Sequence, residues 1–153
     1  MLLQAPFTAL RTAIATAIAA LADYWGEVDN KMHLMMNDPA ITSTTVVGDF
    51  TEATFGGYAA KAATVAGAAV VDALTGNLII RIADPAGGWS FLSSGAPPAN
   101  IPQTIYGAYV TNAAGDILLG AVKFTDPVTI TAAGQIIDVD DCTWAVANPP
   151  VGV

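Results

Sequence analysis

The sequence has little charge, and positive charge is especially scarce. Only 12% of its 153 residues are charged, and five Lys or Arg stand against 13 Asp or Glu, giving a formal net charge of −8. An average domain carries about 25% charged residues. Binding to nucleic acid needs several cations on one face, and the basic residues here are widely scattered, so we expect no nucleic-acid partner. The same deficit argues against binding to an anionic membrane.

Cysteine and histidine are almost absent, each occurring once. Cys142 has no partner for a disulfide within the chain, and the preceding Asp140 and Asp141 disfavour a reactive thiolate, so we predict a small core residue. His33 is predicted to lie beside Lys31 on the polar face of a strand, with no nucleophile motif around it. A catalytic histidine needs an orienting carboxylate and a nucleophile within reach. The sequence therefore predicts a protein that is not an enzyme.

The shortage of charge is combined with a hydrophobic fraction of 54%. A monomer with this composition would be short of solubilising surface, which favours burial of part of that surface against further subunits. We expect a homo-oligomer, with a trimer among the candidates. The alternative is a surface of Ala, Gly and Thr that is merely uncharged.

The N-terminal part of the sequence is typical of one amphipathic α-helix. Pro6 suits the first turn of a helix, and Gly26 is a natural stop. Apolar residues between them follow a heptad spacing, which makes them candidates for an oligomer interface. These candidates are Phe7, Leu10, Ile14, Leu21 and Tyr24. The helix could pack on its own β domain or on other subunits, and the sequence leaves both open.

Almost everything after residue 30 is typical of short strands separated by turns. The predicted strands are Lys31–Met36, Ala59–Val71, Asn77–Ile82, Trp89–Leu92, Thr104–Thr111, Ile117–Phe124, Val128–Thr131, Ile136–Val139 and Thr143–Val146. We expect Phe50 and Phe55 to fill the core. The predicted fold is mainly β, an antiparallel sandwich or jelly-roll-like domain over residues 28–153, preceded by the helix in residues 1–27.

Few other residues suggest a binding site, and no cofactor or metal is predicted. Asp138, Asp140 and Asp141 form the densest carboxylate group, but no calcium-binding pattern surrounds them, so a solvated acidic strand edge is favoured. Several aromatic residues could stack on sugars or fill the core. They are Trp25, Trp89, Trp144, Tyr106 and Tyr109. The irregular segment 93–102 is the best candidate for an exposed functional loop.

Four segments resemble a pattern in small virion structural proteins of tailed bacteriophages, of the head-decoration or tail-associated kind. They are Met35–Pro39, Asp49–Tyr58, Gln103–Thr111 and Phe124–Val128. The resemblance covers roughly residues 31–145 and does not include the N-terminal helix. Its motifs are structural, so it implies no active site.

Together these features predict a non-enzymatic bacteriophage structural protein, a capsid decoration or another virion component that acts through self-assembly. The expected location is the virion, and the expected partners are further copies of the chain and other virion proteins such as a major capsid protein. The alternative is a tail-tip or fibre module that binds a receptor or glycan through the 93–102 loop and exposed aromatic residues.

Overall fold

The computed structural model describes residues 30–42, 44–65, 70–71, 78–83, 89–95, 100–139 and 142–146. Within them the chain is mainly β, as predicted, and its strands pair antiparallel. The ten strands are β1 (Lys31–Met35), β2 (Lys61–Ala62), β3 (Thr64–Val65), β4 (Val70–Val71), β5 (Leu78–Ala83), β6 (Trp89–Leu92), β7 (Gln103–Thr111), β8 (Leu118–Ile130), β9 (Ile136–Val139) and β10 (Cys142–Val146). A 3-10 turn spans Val47–Asp49. The predicted N-terminal helix lies outside the described residues.

The strands form three sheets. The largest has the order β2-β1-β7-β8, a second has the order β10-β5-β3 with β4 also paired to β5, and β6 and β9 form a two-stranded ribbon. The predicted bounds of β6 and β9 are confirmed at both ends. The long strand predicted over 59–71 is wrong, since the described part of it holds three short strands, two of which pair in a different sheet from the first.

The main core lies between the β2-β1-β7-β8 sheet and the β6–β9 ribbon. The sheet contributes residues such as Met32, Leu34 and Val110, and the ribbon contributes Trp89 and Phe91. Each ribbon strand alternates buried and exposed residues, which is the pattern of a strand with one face on a core. The expected burial of Phe50 and Phe55 is confirmed.

The opposite face of the large sheet is also covered. Phe50 lies on it and stacks on Tyr109, with ring centroids 4.6 Å apart, and Met35 completes this second cluster. Four of the five residues of β1 are therefore buried. His33 lies on the face opposite Met32 and Leu34, as the alternation predicted, but this face is buried because Glu52 and Tyr109 contact the imidazole.

Candidate functional site

Two features of the described chain stand out as candidate sites: the buried polar network around His33, and the outer edge of β8. The first brings together the residue types that acid–base chemistry uses. The second is a long strand edge.

His33 is held by contacts from two other parts of the chain, the segment that contains Glu52 and strand β7. Its Nδ1 lies 2.7 Å from Glu52 Oε1, its Nε2 lies 3.0 Å from Thr111 Oγ1, and its ring stacks on Tyr109 at 4.8 Å. The stack follows from strand register, since His33 on β1 is directly opposite Tyr109 on β7. The sequence suggested no partner for His33, because Glu52 and Thr111 are 19 and 78 residues away.

Glu52 is positioned by the segment that runs beside β1. Met35 and Glu52 form an antiparallel bridge, and Ala53 N–H donates to the Leu34 carbonyl at 3.0 Å. The Tyr58 hydroxyl donates to Glu52 Oε1 at 2.9 Å and accepts from Leu34 N–H at 3.0 Å. The carboxylate therefore accepts two side-chain hydrogen bonds.

This environment favours the neutral form of two phenols, the buried Tyr109 and the partly buried Tyr58. Burial raises the pKa of Tyr109 to about 12, and the nearby Glu52 carboxylate acts in the same direction. Burial also raises the pKa of Tyr58, far above its ordinary value of 10.0, and Glu52 adds to this. Neither phenol is suited to act as a base near neutral pH.

Glu52, His33 and Thr111 lie in a row like the carboxylate, imidazole and hydroxyl of a hydrolase. The hydroxyl, however, is at the buried end of the row, where it cannot meet a substrate. A nucleophile must meet its substrate. Thr111 is only 1% exposed, and its hydroxyl donates to the Asn112 carbonyl at 3.0 Å. The solvent-facing member is instead Glu52, whose side chain is 42% exposed. These non-covalent contacts hold β1, β7 and the 50–58 segment together.

β8 forms an outer edge of the large sheet. Among the described strands it pairs with β7 alone. The two strands are joined by a turn that Asn112 holds closed, since its Oδ1 accepts from the backbone N–H groups of Gly115, Asp116 and Ile117. This turn was predicted from the sequence and is confirmed. It fixes the start of β8.

The two halves of β8 differ in how well the edge is protected against pairing with another strand. A bulge lies in the second half, where one residue of β7, Tyr106, faces four residues of β8, 124–127. Lys123, Asp126 and Pro127 lie in or next to it. Charges, proline and bulges are the devices that protect natural strand edges. The first half, Leu-Leu-Gly-Ala-Val over residues 118–122, has no charge and no proline, and its only irregularity among the paired residues is Leu119, left between the pairs Val110–Gly120 and Thr111–Leu118.

Apolar side chains are exposed beside this first half. Val122 is 37% exposed, and Ile117, immediately before the strand, is also 37% exposed. Lys123, which follows it, forms an ion pair with Asp38. The sequence predicted a strand over 117–124 and a break at Asp126–Pro127. The structure shows one strand with a bulge there.

The predicted interface candidates Phe7, Leu10, Ile14, Leu21 and Tyr24 lie outside the described residues, as do Asp140 and Asp141. Asp138 is on β9, where its Oδ1 accepts a hydrogen bond from the Ser90 hydroxyl directly across the ribbon. Within the described ranges, no group of three His, Cys, Asp or Glu side chains is placed to hold a metal ion.

The aromatic residues considered for sugar stacking divide into buried and partly buried groups. Trp89 is 1% exposed and its indole N–H donates to the Ala62 carbonyl at 2.7 Å, while Tyr109 is 3% exposed. Tyr106 is partly buried. The side chains of Trp25 and Trp144 are outside the described part. Trp89 and Tyr109 therefore present no face to a sugar.

The described ends of the 93–102 loop are tied to the body. The Ser93 hydroxyl donates to the Ala132 carbonyl at 2.7 Å, and Asn100 Nδ2 donates to the Thr54 carbonyl at 3.1 Å. Residues 96–99 are outside the described residues. In the part of the chain that the structure covers, no helix is long and apolar enough to cross a bilayer.

Comparison of the chain with protein-family models, with curated proteins and with solved structures found no match to any of them.

Proposed function

We propose that this chain is a non-enzymatic structural subunit that acts through self-assembly, as a capsid decoration or another virion component of a bacteriophage. The observation that carries the self-assembly is the edge of β8 over residues 118–122, which has neither charge nor proline. The virion setting is supported by the resemblance of residues 31–145 to small phage structural proteins. The proposed partners are further copies of the chain and neighbouring virion proteins such as a major capsid protein.

An open strand edge can pair with another strand because its outward N–H and C=O groups need partners. Residues 118–122 carry no charge, and the exposed apolar side chains of Val122 within them and Ile117 next to them would lose water on pairing. The turn closed by Asn112 holds this edge in place before any partner arrives, which lowers the entropy cost of association. The bulge at 124–127 would limit pairing to the first half of the strand.

The His33 network supports a role without catalysis. The Thr111 hydroxyl is buried, and the contacts of His33 link β1, β7 and the 50–58 segment, so the network orders the sheet. The scarcity of charge, 12% of all residues, also fits a subunit that covers much of its surface in an assembly.

We further propose that the whole β domain is a sandwich. The β6–β9 ribbon packed over the large sheet, with Trp89 and Phe91 between them, supports this arrangement. In the same proposal the N-terminal segment is a helix whose apolar seam contacts other subunits and adds to the β8 interface.

The experiment that tests this function is sedimentation of the purified chain at micromolar concentration, combined with mass spectrometry of purified particles. A defined oligomer present at hundreds of copies per particle supports a shell component. A species of 15.6 kDa that fails to bind particles would contradict the proposal. A few copies per particle together with binding on a glycan array would favour the tail-tip alternative instead.

A further inference from the structure

A slot lies between β6 and the neighbouring segment 56–62, on the side of β6 that faces away from β9. At one end the Ser94 N–H donates to the Gly56 carbonyl at 2.7 Å, a direct backbone contact. At the other end the contact is made by a side chain, since the Trp89 indole N–H donates to the Ala62 carbonyl at 2.7 Å. The slot lies between these two connections and is lined by residues of both segments, among them Ala59, Lys61 and Phe91. Its volume is about 290 Å³.

The backbone of β6 presents polar groups to this slot. Ser93 N–H donates to the Gln135 carbonyl at 2.9 Å, and the Ser93 carbonyl accepts from Gly134 N–H at 2.8 Å, so both backbone groups of Ser93 face the β9 side. Successive residues of an extended strand direct these groups to opposite sides. The N–H and C=O groups of Ser90 and Leu92 therefore face the slot.

The position of Gly57 agrees with this assignment. A Cβ added at Gly57 would lie 3.0 Å from the Leu92 carbonyl oxygen, which places that oxygen on the slot side. Across the described residues, the backbone groups of Ser90 and Leu92 have no backbone hydrogen bond to the 57–61 segment. Ser90 and Leu92 are exposed residues, so these backbone groups can take a partner from solvent or from a ligand.

Lys61 adds a positive charge to the slot. It is partly buried, and its Nζ lies 5.6 Å from the centroid of the Phe91 ring beneath it. Its ammonium has no carboxylate within ion-pair distance among the described side chains. The nearest acidic residue on the ribbon, Asp138, is on the exposed face and accepts a hydrogen bond from the Ser90 hydroxyl. The Ser94 hydroxyl also lines the slot.

We propose that this slot binds a carboxylate group, with the Lys61 ammonium pairing its charge and the N–H of Ser90 donating to it. An ammonium together with strand N–H groups is a common arrangement for anion binding. One lysine matches a singly charged carboxylate better than a phosphate dianion, which would leave charge uncompensated. The volume is at the lower limit of ligand pockets, so the ligand is a small carboxylic acid or the C-terminal carboxylate of a polypeptide.

The test is an amide NMR titration of the full chain with sodium acetate at constant ionic strength, with sodium chloride as the reference salt. We expect saturable shifts at the amides of Ser90 and Leu92. Lys61→Met should weaken the apparent affinity at least tenfold. Lys31→Met is the matched control, since Lys31 is an exposed lysine on β1, the strand next to that of Lys61, and lines a separate pocket. The acetate titration of Lys31→Met should equal that of the wild type. Asp138→Asn should bind acetate at least as tightly as the wild type.

A second pair of titrations distinguishes the two sources of carboxylate. A short Gly-Ala-Val peptide with a free C-terminus that binds more tightly than acetate, while its amidated form does not bind, would assign the slot to polypeptide C-termini. Equal binding of acetate and the free peptide would assign it to small acids. Shifts that do not saturate, that chloride reproduces, or that persist unchanged in Lys61→Met would overturn the proposal.

Discussion

Gly107 is the position where a single added methyl group should most disturb the fold. It lies on β7 opposite Lys123, at the start of the β8 bulge. A Cβ at this position would meet the Val122 carbonyl oxygen and the Met35 methyl group well inside contact distance, and the Lys123 Cα at 2.9 Å. Two of these three atoms belong to the β8 backbone, so the clash cannot be relieved by turning a side chain.

Overpacking a core costs about 1–3 kcal/mol, and a backbone clash belongs at the upper end of that range. We therefore expect Gly107→Ala to lower the free energy of unfolding by about 2–3 kcal/mol. For a chain of this size that corresponds to a fall in melting temperature of about 5–10 °C. Urea unfolding followed by circular dichroism measures the first quantity, and a thermal scan checks the second.

Gly48→Ala is the matched control, because a Cβ at Gly48 would have no atom within 4 Å. Its free energy of unfolding should stay within about 0.5 kcal/mol of the wild type. If Gly107→Ala also stays within that margin, the close approach of β7 and β8 is wrong, and with it the geometry of the β8 edge.

Three further predictions concern the core, the buried phenols and the N-terminal segment. Trp89→Ala should cost about 3–5 kcal/mol in urea unfolding, and an unchanged melting temperature would contradict the placement of this residue in the core. The pKa of Tyr109 is raised from 10.0 to about 12 in the folded state. Its contribution to the free energy of unfolding should therefore be complete below pH 10 and fall by roughly 2–3 kcal/mol as the pH rises to 12. Urea unfolding across that range should show a shallower loss in Tyr109→Phe; an identical slope would refute this assignment. Ile14→Asp should lower oligomer occupancy while the β circular-dichroism signal persists, and normal assembly of this variant would show that the helix seam is not an interface.

The strands with one face on the core were predictable from the sequence. In β6, Trp89 and Phe91 alternate with Ser90 and Leu92, and the structure buries the first pair and exposes the second. A period of two is a local signal, so it can be found without knowing what packs against the strand.

The environment of His33 could not be predicted in the same way. The alternation placed His33 with Lys31 on the polar face of a strand, but it could not show that a segment about 15 to 20 residues later covers that face and supplies Glu52. The hydroxyl of Thr111 comes from a strand 78 residues away. Such contacts depend on which strands pair, and strand order is not encoded in local periodicity.

The edge of β8 was only partly predictable. Asp126–Pro127 is typical of a turn, and the chain instead continues through a bulge there, because pairing with β7 resumes at Val128 opposite Ile105. The predicted break and the observed bulge place the same irregularity at the same residues. What the sequence could not indicate is that β8 is at the outside of its sheet.

Sedimentation velocity of three forms of the chain at micromolar concentration tests self-assembly through β8 most directly. Val122→Lys places a charge in the uncharged first half of the edge, where lysine opposes strand pairing. Val128→Lys is the control, since Val128 is similarly exposed, 39% against 37%, and lies beyond the bulge. We predict that the wild type and Val128→Lys form the same oligomer, whereas Val122→Lys dissociates at least tenfold more readily with an unchanged circular-dichroism spectrum. A monomeric wild type, or equal assembly of Val122→Lys and Val128→Lys, would contradict the proposed role of β8.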